Sequence, residues 1–197
     1  MTEPNATDLP AAIYIIRHGE KPTGKVVGVD IDGAQNPDSL IPQGWQRAGG
    51  LATLFDPSSG GFADSLLSRP TLIAVPSYGT PDKHRTYQTA WPLGMKLQLS
   101  LQADFAVGKE HHLVDWLLGQ SGQTILICWE HDHIQDITDR LSPVISGGDV
   151  PGPWPGDRFD IVVALTPNPG APGTYVCTQI PQLLLAGDSP QPIPPAS

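Results

Sequence analysis

Ala12-Ile-Tyr-Ile-Ile-Arg-His-Gly-Glu20 is the stretch that decides how the 197-residue chain is read. Ala12 to Ile16 is a short, continuous apolar run rich in β-branched residues. A run without alternation suits a strand covered on both faces, as in a mostly parallel sheet. The strand passes directly into Arg17 and His18. Ligands of open α/β sheets bind outside the carboxyl ends of the strands, so both residues are expected at a ligand-binding rim.

Two further runs have the same character, Thr71-Leu-Ile-Ala-Val75 and Thr124-Ile-Leu-Ile-Cys-Trp129. Phe159 to Leu165 and Thr174 to Ile180 read as two late strands, joined by a Pro/Gly-rich connection into an antiparallel edge hairpin. Helical patterns lie between them. Ile41 to Phe55 sets Ile41, Trp45, Ala48, Leu51 and Phe55 on one face. Asp82 to Lys96 contains Pro92, which is expected to kink or split it. Lys109 to Leu118 and Asp132 to Leu141 are the remaining two. The order β-α-β-α-α-β-α-β-β predicts an α/β fold, a three-layer α/β/α sandwich with a mostly parallel sheet and an antiparallel edge. One domain is expected over residues 1–181. Residues 182–197 hold four prolines and little that packs, so a Pro-rich, mobile tail is expected there.

The net charge of −9, from 11 basic and 20 acidic residues, argues against non-specific nucleic-acid or anionic-membrane partners. Any anion site must then be a local gathering of Arg and His. The polar start of the chain has no basic segment, and the apolar run from Ala11 to Ile16 is too short for a signal or membrane segment. A cytoplasmic location is expected. Cys128 and Cys177 each lie in an apolar run and read as buried free thiols.

The third apolar run ends in Trp129-Glu130-His131-Asp132-His133. If its strand lies parallel to the first, His18 and His131 share one rim. Arg85-Thr-Tyr-Gln-Thr-Ala90 opens a helix after the strand ending near Val75 and brings Arg85 to the same crevice. Two Arg and two His make a phosphate site. Guanidinium forks match phosphate oxygens and stay charged, and a neutral imidazole can attack phosphorus.

These segments resemble those of the histidine phosphatase (phosphoglycerate mutase-like) superfamily, in its small bacterial-type phosphatase branch. Arg17-His-Gly-Glu20 after a strand is similar to its signature. Leu40-Ile-Pro-Gln-Gly-Trp-Gln-Arg-Ala48 resembles its Leu-Thr-x-x-Gly-x-x-Arg-Ala stretch, with Ile41 in place of Thr. Arg85 to Ala90 and Trp129-Glu-His131 resemble its helix start and second-histidine segment, so the likeness spans Ile13 to about Ile145. The resemblance implies a phosphatase without metal or other cofactor. It would act on a small phosphorylated substrate or a phosphoprotein: a phosphomonoester, a phosphoanhydride or a phosphohistidine. His18 would take the phosphoryl group; Arg17, Arg85 and His131 would bind it. The proton donor would be Asp132, directly after the second His, in preference to Glu110, at the start of a helix. The alternatives are a phosphoglycerate mutase and a phosphate-binding module without catalysis. The chain lacks a counterpart of the mutases' Glu-Arg-His-Tyr-Gly segment.

Other residues have plainer readings. His131-x-His133 has metal-ligand spacing but no third ligand at a convincing spacing. His111-His112 reads as a solvated turn, and Trp45, Trp91 and Trp116 as packing residues.

Overall fold

The computed structural model describes residues 9–196. Its elements are β1 (Ala12–Arg17), α1 (Pro42–Leu54), β2 (Leu72–Pro76), α2 (Arg85–Leu97), β3 (Leu101–Phe105), α3 (Glu110–Leu117), β4 (Thr124–Trp129), α4 (His131–Leu141), β5 (Ile145–Gly148), β6 (Ile161–Pro167) and β7 (Tyr175–Pro181). The strands form one sheet in the order β3-β2-β4-β1-β6-β7-β5. β3-β2, β2-β4, β4-β1 and β7-β5 pair in parallel, and β6 runs antiparallel to both β1 and β7. This is the expected α/β class, with its mostly parallel sheet and reversed strand.

Alternation along the strands assigns each side chain to a face. Ile13, Ile15, Ile125, Ile127, Val163 and Leu165 pack on one side with Leu113, Val114 and Leu117 of α3 and Ile134, Ile137 and Leu141 of α4. Tyr14, Ile16, Leu126, Cys128, Val162 and Ala164 pack on the other with Leu51 and Leu54 of α1 and Ala90 and Leu93 of α2. Both faces are thus covered, which is why these strands show no polar alternation in sequence. Cys128 and Cys177 are buried free thiols. No helix among the described residues is long and apolar enough to cross a membrane.

Four features depart from the sequence reading. β3 and β5 are strands that it does not contain. β3 is an edge strand, Leu-Gln-Ala-Asp-Phe, and β5 is only Ile-Ser-Gly-Gly, which pairs outside β7. Asp82 lies in a 3-10 turn, Pro81–Lys83, and α2 then runs unbroken from Arg85 to Leu97 with Pro92 inside. Pro92 costs α2 one backbone hydrogen bond, but Ala90 and Leu93 bury on either side of it and hold the helix together.

The expected tail is the largest correction. Residues 182–196 fold back over the sheet. Ile193 is 1% exposed in the core and trades hydrogen bonds with the Gln179 side chain at 2.8 Å in each direction. The Ser189 amide donates to Asp160 Oδ2 at 2.6 Å, and the Gly152 amide to the Pro194 carbonyl at 2.9 Å. Asp188 forms an ion pair with Arg47 of α1 at 2.7 Å. Arg47 is buried and already meets Glu20 at 2.8 Å, so the tail supplies its second carboxylate. Proline prevents regular structure in this segment but does not prevent packing.

Candidate active site

The ladder between β1 and β4 sets Arg17 opposite Trp129, and the His18 amide continues it by donating to the Trp129 carbonyl at 3.2 Å. The two strands therefore end level, with His18 beside the start of α4, whose first residue is His131. Gly19 is needed at the next position. A Cβ there would stand 3.0 Å from the Gly44 carbonyl oxygen, and one on Gly44 would stand 2.7 Å from that of Glu20. This mutual approach docks the first turn of α1 onto the loop after β1.

α2 is held to the same rim by its own side chains. Thr89 Oγ1 accepts from the Gly19 amide at 2.8 Å and donates to the Arg85 carbonyl at 2.7 Å. Gln88 Oε1 accepts from the Leu40 amide at 2.8 Å, while its Nε2 donates to Ser39 Oγ at 2.8 Å. Gln88 and Thr89 thus stitch loop 39–40 and Gly19 to the helix whose first residue is Arg85.

His18 is 4% exposed. Its Nδ1 lies 2.7 Å from its neighbour's carbonyl, Gly19 O. A carbonyl only accepts, so Nδ1 carries the proton and Nε2 keeps its lone pair. Burial drives its pKa down to about 3, and nearby Arg17, Arg85 and His131 push the same way against the Gly19 hydrogen bond. The imidazole is neutral at physiological pH, the form a nucleophile requires.

Arg17 is fully buried. Its Nη1 donates to the Pro155 and Arg158 carbonyls at 3.1 and 2.9 Å, and its guanidinium carbon lies 3.9 Å from the centre of the Phe159 ring. Among the described residues, Nε and Nη2 of Arg17 and Nε of Arg85 are buried without a hydrogen-bond partner. Burial lowers the Arg17 pKa to about 10, which leaves it charged at neutral pH. Unpaired buried N–H groups of this kind are costly unless a ligand meets them, and an oxyanion is the natural match. His131 is mostly buried; burial and Arg17 hold its pKa below the usual histidine range.

The two candidate acids separate clearly. Asp132 has its side chain 76% exposed, with Oδ1 3.3 Å from His131 Nε2, and it acts electrostatically on Arg17. Glu110 is buried, and its Oε1 accepts from Trp129 Nε1 at 3.0 Å and from the Gly108 amide at 2.9 Å. That oxygen anchors the end of β4 and the turn before α3. The structure thus gathers Arg17, His18, Arg85, His131 and Asp132, and sets Glu110 in a supporting position.

His133 turns away from the site, with Nδ1 3.2 Å from Asp136 and 3.5 Å from Glu110. Those three residues form the one His/Asp/Glu group of metal-binding size among the described residues. His111 and His112 are exposed, as read from sequence. Trp45 and Trp116 are partly buried, Trp45 donating to the Val29 carbonyl at 2.8 Å. Trp129 is buried.

Two contributors have no role at the site in the sequence reading. Phe159 lies under Arg17 and 6.1 Å from the His18 ring. Tyr78 hydrogen-bonds Glu130 through its hydroxyl and stacks on His84 at 3.8 Å. Each sits in a loop, where periodicity carries no signal.

No protein-family model matches the sequence, and a search of curated proteins finds no match. Among solved structures, a mycobacterial glucosyl-3-phosphoglycerate phosphatase superposes with a TM-score of 0.51 at 13% identity, over 85% of this chain and 96% of that one. A phosphoserine phosphatase variant from Entamoeba histolytica, in complex with phosphoserine, gives 0.51 at 12% identity, over 90% and 100%. At such identities the likeness concerns the fold, which is the phosphoglycerate mutase-like one.

Proposed function

We propose that this protein is a phosphatase that works without a metal ion and passes the phosphoryl group through His18. It takes a phosphomonoester, a phosphoanhydride or a phosphohistidine. The observation that carries this reading is the buried, neutral His18, its Nδ1–H spent on Gly19, set among two guanidinium groups that keep unpaired donors. The solved phosphatases that share the fold, and the small bacterial-type branch the sequence resembles, agree with it.

In the first step the lone pair of Nε2 forms a bond to phosphorus as the bond to the leaving oxygen breaks. Arg17 and Arg85 stabilise the equatorial oxygens, supplying the charge that metal ions provide elsewhere. Asp132, protonated, gives its proton to the leaving oxygen. In the second step Asp132, now a carboxylate, takes a proton from water; the water oxygen bonds to phosphorus, the P–N bond breaks, and phosphate leaves with Asp132 protonated again.

Rapid acid-free quenching during turnover tests this. One phosphoryl group should be trapped on the peptide holding Arg17 to Lys21, and His18→Ala should lose both trapping and turnover while keeping its fold. Label that persists in His18→Ala places the chemistry elsewhere.

A further inference from the structure

The helices before and after β4 bring a second group of polar side chains together, apart from His18 and the two arginines. Glu110 is the first residue of α3, and His133 and Asp136 lie one turn apart on α4. One donor atom from each falls within 4.8 Å of the other two. His133 Nδ1 stands 3.2 Å from Asp136 Oδ2 and 3.5 Å from Glu110 Oε1. His131 is not a member, so this is not the His131-x-His133 pair of the sequence.

Glu110 sets this group apart from an ordinary surface cluster. It is 4% exposed, and among the described residues its one partner within 4 Å that can carry positive charge is His133. Trp129 Nε1 and the Gly108 amide donate to its Oε1; these neutral groups orient the carboxylate without cancelling its charge. A buried carboxylate calls for a paired cation or a metal. His133 alone answers poorly, because Nδ1 carries at most one proton and cannot make full hydrogen bonds to two carboxylates. A cation centred among the three donors serves all of them. The spacing also selects the ion. Zinc bonds of about 2.0–2.2 Å, arranged tetrahedrally, set neighbouring donor atoms about 3.3–3.6 Å apart, close to both His133 distances. Octahedral magnesium, with bonds of about 2.0–2.1 Å, sets them about 2.9 Å apart and prefers oxygen alone. The Asp136 side chain is 60% exposed, which leaves a fourth position open to water.

We propose that Glu110, His133 and Asp136 hold one zinc-class divalent cation that ties α3 to the first turns of α4. The inference goes beyond the phosphatase reading and does not rest on it, since neither His18 nor either arginine is a ligand. The ion's bonds replace an imidazole–carboxylate contact with a cross-link between two helices that pack on one face of the sheet.

Calorimetric titration of the chelator-treated full chain with Zn²⁺ tests it. One ion should bind with micromolar or tighter affinity and raise the unfolding temperature. Co²⁺ in its place should give the visible absorption of a tetrahedral site rather than an octahedral one. Removing a group that only orients a metal ligand costs roughly 10–100-fold in affinity, so His133→Ala and Asp136→Ala, which remove ligands outright, should each cost at least ~100-fold. Both positions are partly or largely exposed, so the metal-free variants should unfold at the wild-type temperature; if one fails to fold, the other decides. His18→Ala, and His111→Ala with His112→Ala, should bind Zn²⁺ as wild type does. Affinity retained in His133→Ala and Asp136→Ala overturns the proposal. So does binding lost in His18→Ala, which places the ion at the phosphoryl site, an octahedral Co²⁺ spectrum, or no uptake of Zn²⁺ at all.

Discussion

Replacing Arg17 with Lys separates what its charge contributes from what its shape contributes. The wild-type guanidinium spends Nη1 on the Pro155 and Arg158 carbonyls and leaves Nε and Nη2 free of partners among the described residues. Those two N–H groups are the ones available to a phosphoryl oxygen. A charge-assisted hydrogen bond is worth roughly 1.5–3 kcal/mol. One ammonium can replace one of the two bonds and keeps the charge, but it cannot hold both carbonyls and a bidentate oxyanion together. The net loss is therefore about one such bond, or roughly 10- to 150-fold in affinity. Calorimetric titration with inorganic phosphate or vanadate measures this directly, without dependence on an unidentified substrate. Thermal unfolding of the same sample separates a binding loss from a folding loss. An affinity within twofold of wild type, in a folded Arg17→Lys protein, would show that the free donors do not face the anion.

Three further outcomes are expected. His18 should remain neutral down to about pH 3, so its ring resonances in an NMR titration should stay flat from pH 8 to pH 4. Its folded pKa lies below its ordinary value near 6.5, so the unfolded chain binds the proton more readily; this group should erode stability as pH falls between those values, and titration near 6.5 contradicts the burial argument. Arg47→Met strands the carboxylates of Glu20 and Asp188 and should cost about 3–5 kcal/mol in urea unfolding, an argument that a loss under ~1 kcal/mol defeats. Asp132→Asn should slow alkyl phosphates by roughly 10²–10⁴-fold and p-nitrophenyl phosphate far less, since nitrophenolate leaves without a proton; equal slowing of both removes Asp132 from the donor role.

The parts of this protein that were legible in sequence are those governed by local pattern. Ile13 to Ile16, Leu72 to Val75 and Ile125 to Trp129 announce central strands because both faces are buried and every position is apolar. The rim followed from their polarity, since parallel strands must end on one side. β3 escaped because Gln102 and Asp104 interrupt it at the sheet edge, and β5 because a pair of glycines offers no hydrophobic run. The tail escaped for a different reason. Its anchor is Asp188, and what makes Asp188 an anchor is a buried Arg47 141 positions earlier. The hydrogen bond from Trp129 Nε1 to Glu110 Oε1 is likewise a pairing across 19 positions. Pairings of that kind exist only once the chain has closed, and no window of sequence contains them.

The level ending of β1 and β4 also bears on how the molecule acquires its chemistry. The strands that deliver His18 and His131 join Ala12 to Thr124, and β1's other neighbour, β6, begins only at Ile161. Little of the rim is local in the chain, so the cost of closing very long loops must be met before the two histidines stand together. Before β1 and β4 pair, nothing in the sheet holds His18 and His131 at one rim. Catalytic competence would then be acquired late, at nearly the same moment as the central ladder itself. During denaturation, activity should vanish along the same curve as global structure rather than ahead of it.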